Sequence, residues 1–154
     1  MTLTFIAIGI AVVVAAVLVW VRHYRNKSEF ERHILSVEQL HLLLASEQKI
    51  SLFDVRQPLD LLAYPELIPG AQRLPPQEVL DNPSLIPRDK DVVVYCTCPG
   101  DKTSRTVLRR ALRLGLFRIK FLKGGLAGWK AKGYPIEPYK EVFHLYPSLV
   151  PRSH

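Results

Sequence analysis

The sharpest feature of the hydrophobic pattern lies at the start of the chain. From Met1 to Val21, MTLTFIAIGIAVVVAAVLVWV, there is no charged residue. About twenty apolar residues in a helix span the hydrocarbon of a bilayer, so residues 1–21 predict a transmembrane helix. Trp20 stands where indole rings favour the membrane interface. A cleaved signal carries positive charge before its apolar run and small residues after it. Here the order is reversed, with Arg22, His23 and Arg25 following the run, which favours an uncleaved anchor. Basic residues stay on the cytoplasmic side. The expectation is a single-pass protein, N-terminus out, with its folded part in the cytoplasm and the lipid bilayer as one partner.

Beyond the anchor, residues 22–35 form a polar connector. Ser36 and Gln39 have capping-box spacing ahead of Leu40, Leu42, Leu43 and Leu44, which predicts a helix ending near Ser46. KISLFDVR predicts a short buried strand with Asp54 and Arg56 at its C-terminal end. Residues 57–75 lack a clear period and read as a long loop, and Pro76 suits the first position of a short helix through Leu80. DVVVYC, residues 91–96, is a strand bounded by charge. A helix is expected from Ser104, with Val107, Leu108, Ala111, Leu112 and Gly115 as its apolar stripe. Its wet face is Arg105, Arg109, Arg110 and Arg113. RIKFL is a further strand, broken by Gly124-Gly125 before a short helix containing Trp129, which reads as a core residue. Gly133 and Pro135 end that helix. Strands alternating with helices predict an α/β fold, a central parallel sheet with helices on both faces. The domain is expected over 36–138, with an irregular tail over 139–154.

Charge changes this picture little. The formal net charge is +7, and ten Lys or Arg residues fall between Lys102 and Lys132 without a single Asp or Glu. Such a stretch can attract an anionic substrate, an acidic partner or anionic headgroups. No nucleic-acid motif or regular aromatic interleaving accompanies it, so nucleic acid is not an expected partner. The two cysteines, Cys96 and Cys98, are too few and too close for a disulfide framework. They are two ligands with no histidine nearby in sequence, whereas a structural zinc site needs four, so neither metal nor cofactor is expected.

The cysteines sit where an open α/β sheet binds ligands, beyond the carboxyl end of a strand. VVVYC runs straight into TCPGDKTS and then a helix. Backbone N–H groups converging in such a loop, with the helix dipole, stabilise an anion, and a thiolate there is expected to have a lowered pKa. Lys102 adds positive charge, and Thr103 and Ser104 add hydroxyl donors. The alternative for Cys96 alone is a small buried hydrophobe at a strand end.

DVVVYC, the loop, a helix ending in RLGLF, and then RIKFLKGGLAGWKAKGYPI resemble the second half of a rhodanese homology domain. LFDVRQPLDLLAYPELIPGAQRLP resembles the first half, with Leu67 where the family usually has His. The similarity covers residues 36–138. It implies a sulfurtransferase of the thiosulfate sulfurtransferase kind, or a sulfur carrier, working by double displacement. A thiolate takes the outer sulfur of a donor such as thiosulfate or a protein persulfide, and a thiol acceptor removes it. Cys96 is the nucleophile if the strand sets the register. Cys98 is the alternative, or the resolving thiol, because the spacing to Ser104 and Gly115 suits it. Thr97, Gly100, Asp101, Lys102, Thr103 and Ser104 would form the anion-binding loop, with Asp54 and Arg56 in support. Two rivals remain: a non-catalytic rhodanese-like binding module at the membrane, and a rhodanese-like phosphatase or arsenate reductase. The latter has a longer loop, but Lys102 cannot grip an oxyanion bidentately as Arg does.

Overall fold

The computed structural model describes residues 2–46, 49–97 and 99–140, so Cys98 and most of the C-terminal tail lie outside it. The chain divides after His33 into two units. The first is one helix, α1 (Thr2–Glu31), which runs through most of the segment read as a connector. Its residues Ile8–Arg25 have a mean hydropathy of 1.6, long and apolar enough to cross a membrane by length and composition.

The second unit opens with β1 (Ile34–Leu35) and α2 (Val37–Ala45). The capping box closes as the sequence predicts. The Gln39 N–H donates to Ser36 Oγ at 3.2 Å and the Ser36 N–H to Gln39 Oε1 at 2.9 Å, satisfying donors the helix leaves open. Then follow β2 (Ile50–Asp54), α3 (Pro58–Ala63), β3 (Glu66–Leu67), β4 (Gln72–Arg73) and α4 (Pro76–Asp81). The region 57–75 is therefore ordered into a helix and two short strands, not a long loop. β5 (Asp91–Tyr95), α5 (Lys102–Arg113), β6 (Ile119–Leu122), α6 (Gly125–Ala131) and β7 (Glu137–Pro138) complete the order. α5 begins at Lys102, two residues before the Ser104 that the sequence suggests. Gly115 is exposed and left-handed (φ 74°), so it caps α5 instead of joining the apolar stripe. The N–H groups of Leu116 and Gly115 donate to the carbonyls of Ala111 and Leu112, which closes a Schellman motif.

Five strands form a parallel sheet in the order β1-β6-β5-β2-β4, and β3 pairs β7 antiparallel in a separate ribbon. Side chains alternate across a strand. Leu52, Val93, Tyr95 and Leu122 join a core with Val37 and Leu40 of α2, Leu61 of α3, and Leu126 and Trp129 of α6. Phe53, Val92, Val94, Ile119 and Phe121 take the opposite face, where α5 supplies Val107, Leu108 and Ala111, all buried. Each buried Val, Leu, Ile or Phe among them contributes roughly 1.5–3 kcal/mol. The two faces together fix the carboxyl end of β5 between covered layers. Trp129 is a core residue, 1% exposed, whose Nε1–H donates to the Pro135 carbonyl at 2.7 Å.

Candidate functional site

β5 is the second strand inward from β1 through β6, and its run of valines buries both faces. It delivers Cys96 to the sheet's carboxyl end with 0% exposure. The chain must then turn within a few residues to start α5. Gly100 (φ 67°) and Asp101 (φ 55°) make that turn with two consecutive left-handed residues, Asp101 being the only non-glycine described with positive φ. The left-handed region costs most L residues about 1 kcal/mol or more, and Asp is among those that tolerate it best.

Asp101 does not cap α5 with its side chain. Its Oδ2 instead accepts the Gly124 N–H at 3.2 Å, tying the loop to the turn between β6 and α6. A second tie crosses the same gap. The Leu126 N–H donates to the Cys96 carbonyl at 3.2 Å, so the first turn of α6 rests on the cysteine's backbone. Gly125 (φ 49°) makes this possible. A Cβ there would lie 1.7 Å from the Cys96 carbonyl oxygen, so no other residue fits without displacing the strand end. In the sequence, Gly124-Gly125 reads only as a break between strand and helix. The paired glycines were the available signal, but the partner they press against is not visible in the sequence.

The remaining loop residues distribute as follows. Thr97 and Thr103 are half-buried and Lys102 is exposed. Lys102 and Thr103 line a cavity of about 150 Å³ with Gln57, Gln77, Thr106 and Val107. Ser104 is fully buried, and its Oγ has no hydrogen-bond partner among the described residues. A buried hydroxyl without a partner ordinarily costs about 1–3 kcal/mol. Arg105, expected on the wet face, is half-buried with its guanidinium carbon 5.3 Å from the Phe121 ring centroid.

Asp54 and Arg56 lie one strand away. Asp54 is in register with Tyr95, and the Val55 N–H donates to the Tyr95 carbonyl at 2.9 Å. Both charged side chains are fully buried and paired at 2.6 Å. Arg56 also donates to the carbonyls of Tyr64 at 2.8 Å and Glu66 at 2.6 Å. These bonds hold the 57–66 segment in place, and none of them reaches the cysteine loop. Arg73 donates to the Asp54 carbonyl at 2.8 Å, and burial pulls its guanidinium below the ordinary value, with Asp54 opposing. The Tyr95 hydroxyl accepts the Ile68 N–H at 3.2 Å, and burial, then the charge of Asp54, push its pKa well above 10. Leu67, where the resembled family usually has His, is buried in the core.

Comparisons with known proteins agree with this architecture. The profile of the rhodanese-like domain matches residues 36–132. A protein named sulfurtransferase from Allochromatium vinosum is 32% identical over 99 residues, covering 64% of this chain and 89% of that one. An uncharacterised Synechocystis sp. protein is 32% identical over 92 residues, 60% of this chain and 49% of its own length. Among solved structures, thiosulfate sulfurtransferase from Pseudomonas aeruginosa superposes with a TM-score of 0.58 at 25% identity, over 71% of this chain and 21% of that one. The Alr3790 protein from Anabaena sp. gives 0.57 at 29% identity, over 68% and 82%. With a strand, a buried cysteine, a left-handed turn and a helix in this order, and a profile match over most of the sheet, the chain belongs to the rhodanese-like domain family.

Proposed function

We propose that this protein is a membrane-anchored sulfurtransferase or sulfur carrier that moves sulfane sulfur through a persulfide on Cys96. The observation that supports it best is the double clamp on that residue. Gly125 packs on its carbonyl, and Asp101 ties the following turn to Gly124. A clamped strand end followed by a left-handed turn gives a sulfur nucleophile a fixed place at the start of α5, where the helix dipole favours negative charge. Thr97, Gly100, Lys102, Thr103 and Ser104 would shape the anion pocket around it. The Ser104 Oγ, without a hydrogen-bond partner among the described residues, would be a donor for an anion held there.

In the first half-reaction the thiolate attacks the outer sulfur of thiosulfate. A new S–S bond forms, the old one breaks, and sulfite leaves with the electron pair. In the second, a thiol acceptor attacks the outer sulfur and Cys96 departs as thiolate. Asp54 and Arg56 support the site through the sheet and take no part in the transfer. α1 serves as the single-pass anchor, with the domain in the cytoplasm where thiols stay reduced.

The complete burial of Cys96 favours a second assignment. In it, Cys98 accepts the sulfur and Cys96 is a core residue that positions it. Turnover separates sulfur transfer from the binding-module and phosphatase readings. The detergent-solubilised chain is expected to release sulfite from thiosulfate when a small thiol is supplied, and to leave aryl phosphates intact. Phosphatase activity without sulfite release would reverse the reading, and neither activity would leave the domain as a binding module.

A further inference from the structure

The amino end of the sheet, at the other end of β5 from Cys96, carries a cavity that sulfur transfer does not use. β5 and β6 begin there in register, with Val92 beside Ile119, and the Val92 N–H donates to the Arg118 carbonyl at 2.9 Å. The chain enters β5 past Ile86 and Pro87, and it leaves α5 through the left-handed Gly115. Both connections wall a cavity of about 250 Å³. Ile86, Val92, Leu116 and Ile119 are its buried apolar lining. Phe117 also lines it and is 64% exposed. A Cβ at Gly115 would stand 3.9 Å from the Phe117 ring, so the ring lies over the bare glycine at the mouth.

Two arginines complete the lining, and their states differ. Arg118 is engaged, its Nε donating to Asp91 Oδ1 at 2.9 Å and its Nη1 to the Asp89 carbonyl at 3.1 Å. Arg88 is exposed and makes no ion pair among the described residues. Asp89, Lys90 and Asp91 follow it in sequence, but none of these three lines the cavity. The charge that faces the cavity without a counter-ion is therefore positive. Its volume falls just short of the ~300–1,000 Å³ typical of drug-sized ligands. At about 30 Å³ for each water-sized group, it holds roughly eight non-hydrogen atoms. That is a six-membered ring with a small substituent.

We infer that this cavity is a binding site for a small organic carboxylate with a ring as its body. The ring takes the apolar lining and meets Phe117, where aromatic pairs gain beyond the area they bury. The carboxylate meets Arg88, whose planar guanidinium offers it two parallel donors. A ligand that binds only the folded domain stabilises it as its concentration rises. The site is independent of the persulfide reading, because no residue of the cysteine loop lines it.

The test places the full chain in nanodiscs of neutral phosphatidylcholine, with Ile, Leu and Val methyl groups labelled for NMR, and titrates it with benzoate. The methyls of Ile86, Val92, Leu116 and Ile119 are expected to shift saturably, with a Kd on the order of 1 mM. Those of Leu40 and Leu126, in the core on the other face of the sheet, should stay fixed. Benzamide, of the same shape but neutral, should bind about fivefold more weakly, and so should benzoate to Arg88→Gln. Benzamide should bind Arg88→Gln and the unaltered chain alike, since the pairing is then already lost. Absence of a saturable shift at the four lining residues overturns the inference. Equal affinity for benzoate and benzamide overturns it too, as does benzoate binding that Arg88→Gln leaves unchanged. Acetate that binds as well as benzoate would show bare charge attraction without a ring site, and would overturn it in turn.

Discussion

Two neighbouring strand ends, Asp54-Val55-Arg56 on β2 and Tyr95-Cys96-Thr97 on β5, begin in register and come to opposite outcomes. At the first, a buried ion pair is completely engaged. Arg56 spends its donors on the Asp54 carboxylate and on two backbone carbonyls, and Arg73 caps the Asp54 carbonyl. At the second, the backbone is clamped from α6, but one buried polar group of the loop is not engaged among the described residues. The Ser104 hydroxyl is buried without a hydrogen-bond partner among the described residues, and the turn stands on two left-handed residues. A structural polar cluster satisfies itself. Under the proposed function, the second keeps capacity for an anion that is not part of the chain.

The largest effect that would break this contrast comes from removing one member of the ion pair. Asp54→Ala leaves the Arg56 charge buried without its counter-ion and should cost about 3–5 kcal/mol in denaturant unfolding. A loss under about 1 kcal/mol, within the range of surface pairs, would show that the pair is not the structural member of the comparison. Next comes Gly125→Ala, where the methyl group meets the Cys96 carbonyl. Overpacking of this kind costs about 1–3 kcal/mol, and sulfur loading should fall further than stability does. If the variant loads sulfur normally, the clamp is not what sets the cysteine.

Asp101 sharpens the same point on the loop side. Asp101→Ala loses the acceptor for the Gly124 N–H and should cost roughly 1.5–3 kcal/mol, the range for hydrogen bonds to charged groups. Asp101→Asn keeps a side-chain oxygen and tolerates the left-handed backbone, so it should retain most of the loading rate. Equal behaviour of the two variants would argue against the tie. A smaller effect is read by pH. Tyr95 stays protonated in the fold well above the ordinary tyrosine value of 10. The unfolded chain releases that proton first, so stability present below pH 10 is lost as pH rises beyond it. Tyr95→Phe should flatten that alkaline slope in urea unfolding. The smallest effect belongs to Glu38, whose carboxyl is held down to about 2 chiefly by its hydrogen bond from Lys132. Its contribution is present above pH 4.5 and fades as pH falls toward 2. Because Glu38 and its partner Lys132 lie exposed at the surface, Glu38→Gln should barely move the acid limb.

Local chemistry made parts of this arrangement readable in advance. The Ser36–Gln39 box, the β2 and β5 runs and the helix that carries Trp129 are each signalled by residues adjacent in sequence. The 57–75 region was not readable, because its order comes from Arg56 bonding the carbonyls of Tyr64 and Glu66 and from β3 pairing with β7, far along the chain. α5 starts two residues before Ser104 for a related reason. Asp101 turns its carboxylate away from the helix toward Gly124, so the usual cap signal is absent. In the candidate site, the cysteine and its loop were legible from the strand–loop–helix pattern. The grip of Gly125 on Cys96 was not, since the two lie 29 positions apart along the chain and only the fold brings them together.

Locating the sulfur tests the central claim most directly. After incubation with thiosulfate, the full-length chain and its Cys96→Ser and Cys98→Ser variants would be alkylated and digested, and the persulfide mapped by peptide mass. The account predicts one added sulfur atom on Cys96, retained in Cys98→Ser and lost in Cys96→Ser. Sulfur found on Cys98 in the unaltered chain and in Cys96→Ser would contradict it.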